Sequence, residues 1–383
     1  MSEISETMNQ LEAEAGCAES CVSLSHCSDQ SETHVVVGMS GGVDSSVAAA
    51  LLQRRGFEVH GVTCIFHDDE NTRASVADAE AVCRTLGIEH HVHDCTEAFR
   101  TAVVEPFIGE YVRARTPSPC VGCNATCKMP GLLHVADELG AHYIATGHYA
   151  DIACVDGRFA IRCGDESKDQ SYMLSMLTQE QLSRVLFPLE GMEKPQVRAI
   201  AEDLRLPVAY KAESQDICFI EGDYVDFLHA NGVGCEPGDI VAEDGRVLGH
   251  HTGLFNYTLG QRKGIGIGGV AEPLFAIGKN ADRNELVVGP RSRADITAVR
   301  VSHMNWQAFD ADAFAQSGQT ELPCMVKLRY RQRAVGCILH PAGDRALIEL
   351  DVPQPITSPG QYAVFYRDDM VLGAGVIDEV VSA

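Results

Sequence analysis

An apolar run that leads through a glycine- and serine-rich turn into a helical pattern constrains the fold more than any other feature. The run "HVVVGM" begins at residue 34, the turn covers residues 40–46, and the helical pattern ends before Gly56. The alternation continues with a strand at "EVHGVTCIF", a helix over 75–86, a strand near 88–93, a helix over about 96–113 and a strand at "AHYIATG". This order predicts an α/β domain whose doubly wound, mainly parallel sheet has helices on both faces and binds ligands at the carboxyl ends of its strands.

The pattern of apolar residues and turns changes twice after this α/β core. "ADIACVDGRFAIRC" predicts a hairpin that turns at Asp156-Gly157, and helices are expected at about 170–186 and 195–205. After about residue 216 short apolar runs alternate with Gly and Pro, which is typical of small β domains divided near 286–292. We therefore expect a leader of residues 1–33, a nucleotide-binding domain of 34–215, a small central domain of 216–287 and a C-terminal β-barrel-like domain of 288–383.

Composition limits the setting and the partners. No stretch approaches about 18 to 20 apolar residues, and the first residues lack the basic start of a signal peptide, so we expect a cytoplasmic protein without a membrane partner. The leader has seven acidic residues and no Lys or Arg, which favours disorder, and its Cys17, Cys21 and Cys27 are more simply unstructured than metal ligands.

The net charge of −24 argues against a protein that coats nucleic acid, and a DNA partner is not expected. A local strip of basic residues could still bind nucleic acid despite this negative net charge. In "VKLRYRQR" the four residues Lys327, Arg329, Arg331 and Arg333 alternate at strand spacing, so they share a face that is either solvated or binds phosphate. "QRK" at 261–263 is a second candidate.

The turn after the first strand has the chemistry of a phosphate loop. Paired glycines let backbone N–H groups close on an oxyanion, serine hydroxyls donate to it, and the helix directs its positive end there. The Gly-Lys-Ser/Thr ending of a Walker A loop is absent, so the loop suits pyrophosphate as a leaving group, with Asp44 placed to hold Mg²⁺. A simple helix cap is the weaker alternative. In "IATGHYAD", Gly147 and His148 should lie on the same ligand-facing edge, where His148 is either structural or functional.

Three cysteines in "PSPCVGCNATC" have the spacing C-x2-C-x3-C. By spacing alone Cys120, Cys123 and Cys127 fit a metal site, a redox pair or a catalytic thiolate. A structural zinc site is less suited, because it requires four closed ligands.

Taken together, these motifs resemble a known family. The loop is similar to the Ser-Gly-Gly-x-Asp-Ser signature of PP-loop ATP pyrophosphatases, which adenylate an acceptor oxygen. From His34 to the C-terminus the chain resembles the bacterial tRNA-specific 2-thiouridylase family, through "TPSPCVGCN", "KDQSYMLSML", "FPLEGMEKPQVRAIAEDL", "SQDICFI", "HHTGLFNYTLGQRKGIGIGG" and "RYRQ". The resemblance implies a sulfurtransferase that uses ATP to replace the C2 oxygen of the wobble uridine in tRNA with sulfur, supplied by a sulfur donor, with AMP and pyrophosphate as the other products.

The resemblance also implies residue roles. Cys123 matches the nucleophile, and Cys218 matches the persulfide carrier that ends as a disulfide with Cys123. The positions matched to ATP binding are Gly38, Met39, Ser40, Gly41, Gly42, Val43, Asp44, Ser45, Cys64 and Gly147. The positions matched to tRNA contact are Ser118, Pro119, Cys120, His148, Lys168, Asp169, Gln170, Arg329, Tyr330 and Gln361.

One position departs from the family. Cys120 stands where much of the family has an aspartate, and a thiol with a pKa near about 8.5 is a different proton carrier from a carboxyl near about 3.9. Cys120, Cys123 and Cys218 also resemble the three cysteines of related thiolases that hold a [4Fe–4S] cluster with one open iron. Cys127 is then either a fourth ligand or a buried thiol one helical turn on. The relay and the cluster both stay open.

Two other functions would use the same loop. A PP-loop enzyme that adenylates a small carbonyl substrate, as in amide or guanidine synthesis, would give Cys123 and Cys218 no role. A non-catalytic ATP- or metal-binding sensor would form no AMP and pyrophosphate with tRNA.

Overall fold

The computed structural model describes residues 33–164, 169–212, 217–269 and 272–382. These residues form two compact units. The first contains the chain up to Ala102, Val121–Gln215 and Asp368–Val371, and the second contains Val103–Cys120, Asp216–Arg367 and Leu372–Ala383. The predicted leader lies almost wholly outside the described residues. Within the described ranges, no helix combines the length and the apolar character needed to span a bilayer.

Strands and helices alternate in the first half of the chain. The strands are β1 (His34–Gly38), β2 (Glu58–Ile65), β3 (Glu89–Asp94), β4 (Tyr143–Ala145), β5 (Asp151–Val155), β6 (Arg158–Arg162) and β7 (Val185–Leu186). The helices are α1 (Val43–Arg54), α2 (Glu70–Leu86), α3 (Thr96–Phe99), α4 (Glu105–Val112), α5 (Pro119–Cys123), α6 (Met129–Leu139), α7 (Gln179–Leu182) and α8 (Lys194–Asp203). Turns of π-helix at Arg100–Val104 and Asn124–Lys128 precede α4 and α6.

Five of the described strands form the predicted parallel sheet, in the order β3-β2-β1-β4-β7. Register places Val36 opposite both His60 of β2 and Ile144 of β4. The order reverses between β1 and β4, because the chain first builds outward through β2 and β3 and then returns to the other side of β1. The loops that follow β1 and β4 therefore flank the crevice where open α/β sheets bind ligands.

Helices cover both faces of this sheet, as predicted. On one face Val35 and Val37 are fully buried in a core with residues of α1, α2 and α8, including Val47, Val82 and Val197. On the other face Leu132 of α6 lies against the backbone of Gly38. The α/β class of this domain is confirmed.

The prediction of a continuous helix over 170–186 was wrong. The described residues form a 3₁₀ turn at Ser171–Leu174, then α7, then strand β7. Thr178 interrupts the pattern because it caps α7: its side chain accepts a hydrogen bond from the Gln181 N–H, and the Gln181 side chain accepts one from the Thr178 N–H. The predicted hairpin is present, with positive φ at Asp156 and Gly157.

A carboxyl pair at the base of this hairpin should make stability depend on pH. Burial and the neighbouring Asp151 raise the pKa of Glu190 from 4.5 to about 7. A raised carboxyl pKa favours the protonated folded state, so the free energy of unfolding falls as pH rises from about 4.5 to about 7. We expect Glu190→Gln to be more stable than the parent by about 1 to 2 kcal/mol at pH 8, a value reduced from the full shift because the side chain is partly exposed.

Urea denaturation of both proteins at pH 4.5 and pH 8 checks this expectation, because the gain should nearly vanish at the lower pH. Glu202→Gln, on the exposed surface of α8, is the matched control and should show no such gain. An equal gain for Glu190→Gln at both pH values would contradict the assignment.

The second half of the chain is mostly strands. These are β8 (Gly238–Ala242), β9 (Val247–His251), β10 (Phe275–Asn280), β11 (Glu285–Gly289), β12 (Asp295–Trp306), β13 (Leu322–Lys327), β14 (Val335–Ala342), β15 (Arg345–Pro355), β16 (Tyr362–Arg367) and β17 (Met370–Ser382). Two short helices accompany them, α9 (Tyr224–Ala230) and α10 (Ala311–Gln316).

In the described part of the second unit these strands form a small sheet and a barrel. The small sheet has the order β10-β11-β8-β9. The barrel runs β12-β15-β14-β13-β16-β17 and closes because β12 also pairs with β17. Its interior is packed with fully buried residues such as Val299, Val326 and Phe365. The predicted small domain and C-terminal barrel are therefore confirmed as fold classes.

Candidate active site

The loop between β1 and α1 is held in shape by its own serines. The Ser40 N–H donates to Ser45 Oγ at 3.2 Å, the two hydroxyls lie 3.1 Å apart, and Ser46 Oγ donates to the Gly42 carbonyl at 2.7 Å. Gly41 has φ of +66°, and a Cβ there would collide with the Ser75 carbonyl. No side chain caps α1 at Gly42, so its first amides point toward the space where an oxyanion would bind.

Asp44 is bound on both carboxylate oxygens by a residue that sequence reasoning did not single out. Lys194 Nζ lies 2.7 and 2.8 Å from the two oxygens, and Tyr149 donates its hydroxyl to one of them at 2.8 Å. Lys194 begins α8, which packs against α1, and its side chain is only 10% exposed. Lys211 adds a second cation at the loop, where it donates to the Gly41 carbonyl at 2.9 Å. The loop has no Walker lysine in its own sequence, but the fold brings two lysines from other parts of the chain to it.

The loop after β4 meets the phosphate loop directly. A Cβ on Gly147 would lie 2.7 Å from the Ser45 amide nitrogen, so only glycine allows this approach. His148 follows, and its Nδ1 lies 2.7 Å from the Thr146 hydroxyl. Burial, with a smaller contribution from Lys128, lowers the pKa of His148 well below its usual value, so its imidazole is neutral at pH 7. The predicted neighbourhood of Gly147 and the loop is thus present in the structure.

Cys120 and Cys123 lie on the short helix α5, three residues apart and so on one face. Cys123 belongs to the first unit and is buried, whereas Cys120 belongs to the second unit and is exposed. Cys218, also of the second unit, is exposed beside Phe219, whose ring packs edge-on against Phe107 at 5.2 Å. The cysteines of the described residues are all thiols, and the Cys123–Cys218 disulfide stays a prediction for the state of the protein after sulfur transfer.

Cys127 lies in a thiol group that the sequence did not reveal. Its S–H donates to Cys95, as does the S–H of Cys64, so Cys95 is the member whose pKa is lowered while the pKa values of Cys64 and Cys127 are raised. Cys64 lies one residue before the end of β2, and Cys95 directly follows the neighbouring strand β3, so the pairing of these strands brings the two together. Cys127 lies in the π-helical turn before α6, and packing of that turn adds the third thiol. Because Cys127 is buried and its thiol is hydrogen-bonded to Cys95, it is disfavoured as a fourth ligand of an iron–sulfur cluster.

Several predicted tRNA-contact positions of the second unit gather around one loop, residues 356–361. Arg329 donates to the Ile356 carbonyl. Gln361 donates to the Thr116 carbonyl at 2.7 Å, two residues before Ser118. Tyr330, the next residue along the chain from Arg329, is exposed.

The prediction of a basic strand over 326–333 was wrong. Strand β13 ends at Lys327, and a turn closed by the Gln332 N–H and the Arg329 carbonyl follows it. Arg329, Arg331 and Arg333 therefore lie in the turn between β13 and β14 rather than along one face. Lys327 itself lies over the Tyr366 ring, 5.1 Å from its centre.

Two further predicted contacts have structural partners in the first unit. Asp169 is buried, and its two oxygens accept hydrogen bonds from the N–H and the hydroxyl of Ser171, each at 2.9 Å. Gln170 accepts a hydrogen bond from the Tyr149 N–H at 2.8 Å. Lys168 lies outside the described residues.

Three family models match in order: the tRNA methyl transferase HUP domain over residues 33–222, the tRNA methyl transferase PRC-barrel domain over 226–290 and the aminomethyltransferase beta-barrel domain over 296–377. The protein is 42% identical over 372 residues to the tRNA-specific 2-thiouridylase MnmA of Geobacter metallireducens, covering 92% of this chain and 99% of that one. It is 44% identical over 353 residues to the same enzyme of Syntrophotalea carbinolica, covering 90% and 98%.

The phosphate loop at the switch point and the HUP-domain match place the chain in the class of PP-loop nucleotide-binding α/β proteins. The domain descriptions mention methyl transfer, but the relatives that match over the full length are thiouridylases. The chain belongs to the tRNA-specific 2-thiouridylase family, which confirms the resemblance drawn from its motifs.

Two solved structures resemble the chain weakly. The U34-tRNA thiolase NcsA of Methanococcus maripaludis, described with its [4Fe-4S] cluster, is 17% identical with a TM-score of 0.37, over 60% of this chain and 70% of that one. A 4-thiouridine synthetase–RNA complex with bound ATP is 21% identical with a TM-score of 0.33, over 49% and 44%.

Proposed function

We propose that this protein is a tRNA-specific 2-thiouridylase, which uses ATP to replace the C2 oxygen of the wobble uridine with sulfur and releases AMP and pyrophosphate. Its identity of more than 40% with such enzymes over nine-tenths of the chain carries this proposal. We retain the domain boundaries at 34–215, 216–287 and 288–383 as part of it.

ATP binds at the crevice between the loops after β1 and β4. Residues 38–45 surround the phosphates, and Gly147 allows the nucleotide to approach. The N–H groups at the start of α1 offset the charge of departing pyrophosphate, while Lys194 and Lys211 pair with Asp44 and Asp78 and so keep these carboxylates from repelling it. Cys64, at the end of β2, contacts the nucleotide through its backbone, because its thiol is directed at Cys95.

Asp44 fits Mg²⁺ that arrives with the nucleotide rather than a dedicated metal cage. Its carboxylate is 31% exposed and already bound by Lys194, so it offers a single protein ligand. Mg²⁺ is commonly held in this way, by one or two carboxylates, several waters and the substrate phosphates. When bound, the ion would neutralise charge between the phosphates.

Sulfur transfer uses Cys218 and Cys123. The terminal sulfur of a persulfide on Cys218 attacks C2 of the adenylated uridine and expels AMP, which leaves the base joined to Cys218 through two sulfurs. The Cys123 thiolate then attacks the Cys218 sulfur, so the S–S bond to the base breaks and its electrons stay on the sulfur now bound to C2. The products are 2-thiouridine and a Cys123–Cys218 disulfide, which a cellular thiol reductant must reduce.

A [4Fe–4S] cluster is the alternative, since Cys120, Cys123 and Cys218 supply the donor type that such a cluster requires. Replacing Cys120 distinguishes the two chemistries. We expect Cys120→Ser to keep 2-thiouridine formation within about threefold of the parent, because the relay needs only two thiols. Loss of activity together with loss of iron, sulfide and visible absorption from anaerobically purified protein would establish the cluster instead.

The proposed tRNA site comprises Ser118 to Cys120, His148, Lys168 to Gln170, Arg329, Tyr330 and Gln361, and not every one of these side chains touches RNA directly. Because His148 is neutral, it recognises the tRNA by hydrogen bonding and adds no charge. The buried Asp169 acts by holding Ser171 rather than by touching RNA.

The deciding experiment incubates the protein with unmodified tRNA, Mg²⁺-ATP and a persulfide or sulfide source, and then analyses the digested nucleosides. We expect 2-thiouridine together with AMP and pyrophosphate. AMP and pyrophosphate without thiolated nucleoside would favour an adenylating ligase, and the absence of all three products would favour a sensor.

A further inference from the structure

Histidine and glutamate side chains form a checkerboard on part of one face of the parallel sheet, in the first halves of β2 and β3 and away from the phosphate loop. Side chains two residues apart on a strand share a face, so Glu58 and His60 of β2 lie beside Glu89 and His91 of β3. Register places His60 opposite Glu89 and Val62 opposite His91. These residues stand in the first half of their strands, whereas the phosphate loop follows the carboxyl end of β1.

Two imidazole nitrogens of this checkerboard converge on one carboxylate oxygen. His60 Nδ1 lies 3.8 Å from Glu89 Oε2, and His91 Nε2 lies 3.6 Å from the same oxygen. Both nitrogens are buried, and neither has a hydrogen-bond partner among the described residues. A buried polar atom without a partner is costly, so the arrangement favours a species that both nitrogens can bind.

These separations suit a small metal ion. Zn–N and Zn–O bonds of about 2.0 to 2.2 Å hold two ligands of a tetrahedral ion about 3.3 to 3.6 Å apart. The three donor atoms all lie within 4.8 Å of one another. Small side-chain rotations, which move each atom by a few tenths of an ångström, would therefore bring all three to bonding distance from one ion. We propose that His60, Glu89 and His91 form a binding site for a divalent transition-metal ion with the preferences of Zn²⁺.

The surroundings support this assignment. The other nitrogen of His60, Nε2, faces Glu58 Oε1 at 3.9 Å, and Glu58 Oε2 in turn faces His34 Nε2 at 3.4 Å. A carboxylate behind a ligating histidine is the usual arrangement around zinc, because it orients the ring and makes it a better donor. Burial lowers the pKa of His60, which keeps its imidazole in the neutral form that binds metal. Glu89 is exposed at the edge strand β3, which gives an ion access.

To measure how many Zn²⁺ ions bind per chain, metal-free protein is incubated with Zn²⁺, separated from unbound metal by gel filtration and analysed for metal. X-ray absorption then separates this site from any thiolate site, since Zn–N/O bonds of about 2.0 to 2.1 Å differ from Zn–S bonds of about 2.3 Å. We expect one equivalent of Zn²⁺ with nitrogen and oxygen ligands in the parent. His91→Asn and Glu89→Gln should each weaken its binding at least tenfold.

His90→Asn is the matched control, because His90 lies on the same strand but on the opposite face, where its ring contacts the Thr63 hydroxyl at 2.9 Å. The His90→Asn variant should still bind one equivalent of Zn²⁺. Glu89 is exposed, so Glu89→Gln tests the site without risk to folding. A zinc shell made only of sulfur, or unchanged zinc binding in both Glu89→Gln and His91→Asn, would overturn the proposal.

Discussion

Cys123→Ser is expected to abolish 2-thiouridine formation, with a loss of about a thousandfold or more, as is typical when an enzyme loses its nucleophile. A serine hydroxyl cannot break the disulfide-like bond between Cys218 and the base, so sulfur is not released to C2. The adenylation half-reaction takes place at the phosphate loop and does not use this thiol. Exchange of labelled pyrophosphate into ATP in the presence of tRNA should therefore continue.

Cys154→Ser is the matched control for this experiment. Cys154 is an exposed thiol on β5, outside the predicted site, and its replacement should leave both half-reactions unchanged. Thiolation by Cys123→Ser above a tenth of the parent rate would show that another residue is the nucleophile. Simultaneous loss of pyrophosphate exchange and of thermal stability would indicate a folding defect rather than a chemical one.

Lys194→Met is expected to reduce tRNA-dependent AMP formation by about a hundredfold, comparable to the loss of one preorganised donor in other active sites. The substitution leaves the Asp44 carboxylate without its cation, so negative charge faces the phosphates and the start of α1. Hydrogen bonds to charged groups contribute about 1.5 to 3 kcal/mol, and we expect a loss in the free energy of unfolding of about that size or somewhat less, because Asp44 is partly exposed.

Arg184→Met separates the catalytic effect from simple loss of an ion pair. Arg184 donates to Asp137 at 2.7 Å in the same unit, at the other end of the sheet from the loop. Its loss should reduce stability and leave AMP formation per folded molecule unchanged. Lys194→Arg should recover part of the activity, since it restores a cation beside Asp44. Full activity of Lys194→Met would remove this lysine from the proposed site.

Local patterns predicted the elements that local chemistry specifies. The Ser40-to-Ser46 turn, the hairpin at Asp156-Gly157 and helix α8 depend on residues close together in sequence, and each is present. The helix expected over 170–186 failed because Thr178 caps a new helix. The basic strand failed because the alternation of Arg329, Arg331 and Arg333 is also compatible with a turn, and periodicity alone does not distinguish the two.

The sequence by itself determined the α/β class, the phosphate loop and the family, because a strand, a glycine-serine turn and a helix start are encoded within a dozen residues. Only the tertiary structure decided that Lys194 neutralises Asp44. It also decided that the thiols of Cys64 and Cys127 are both hydrogen-bonded to that of Cys95. In the same way, it placed nitrogens of His60 and His91 beside one oxygen of Glu89. These contacts join residues on separate strands and helices, and the register of parallel strands that brings them together depends on packing of the whole core.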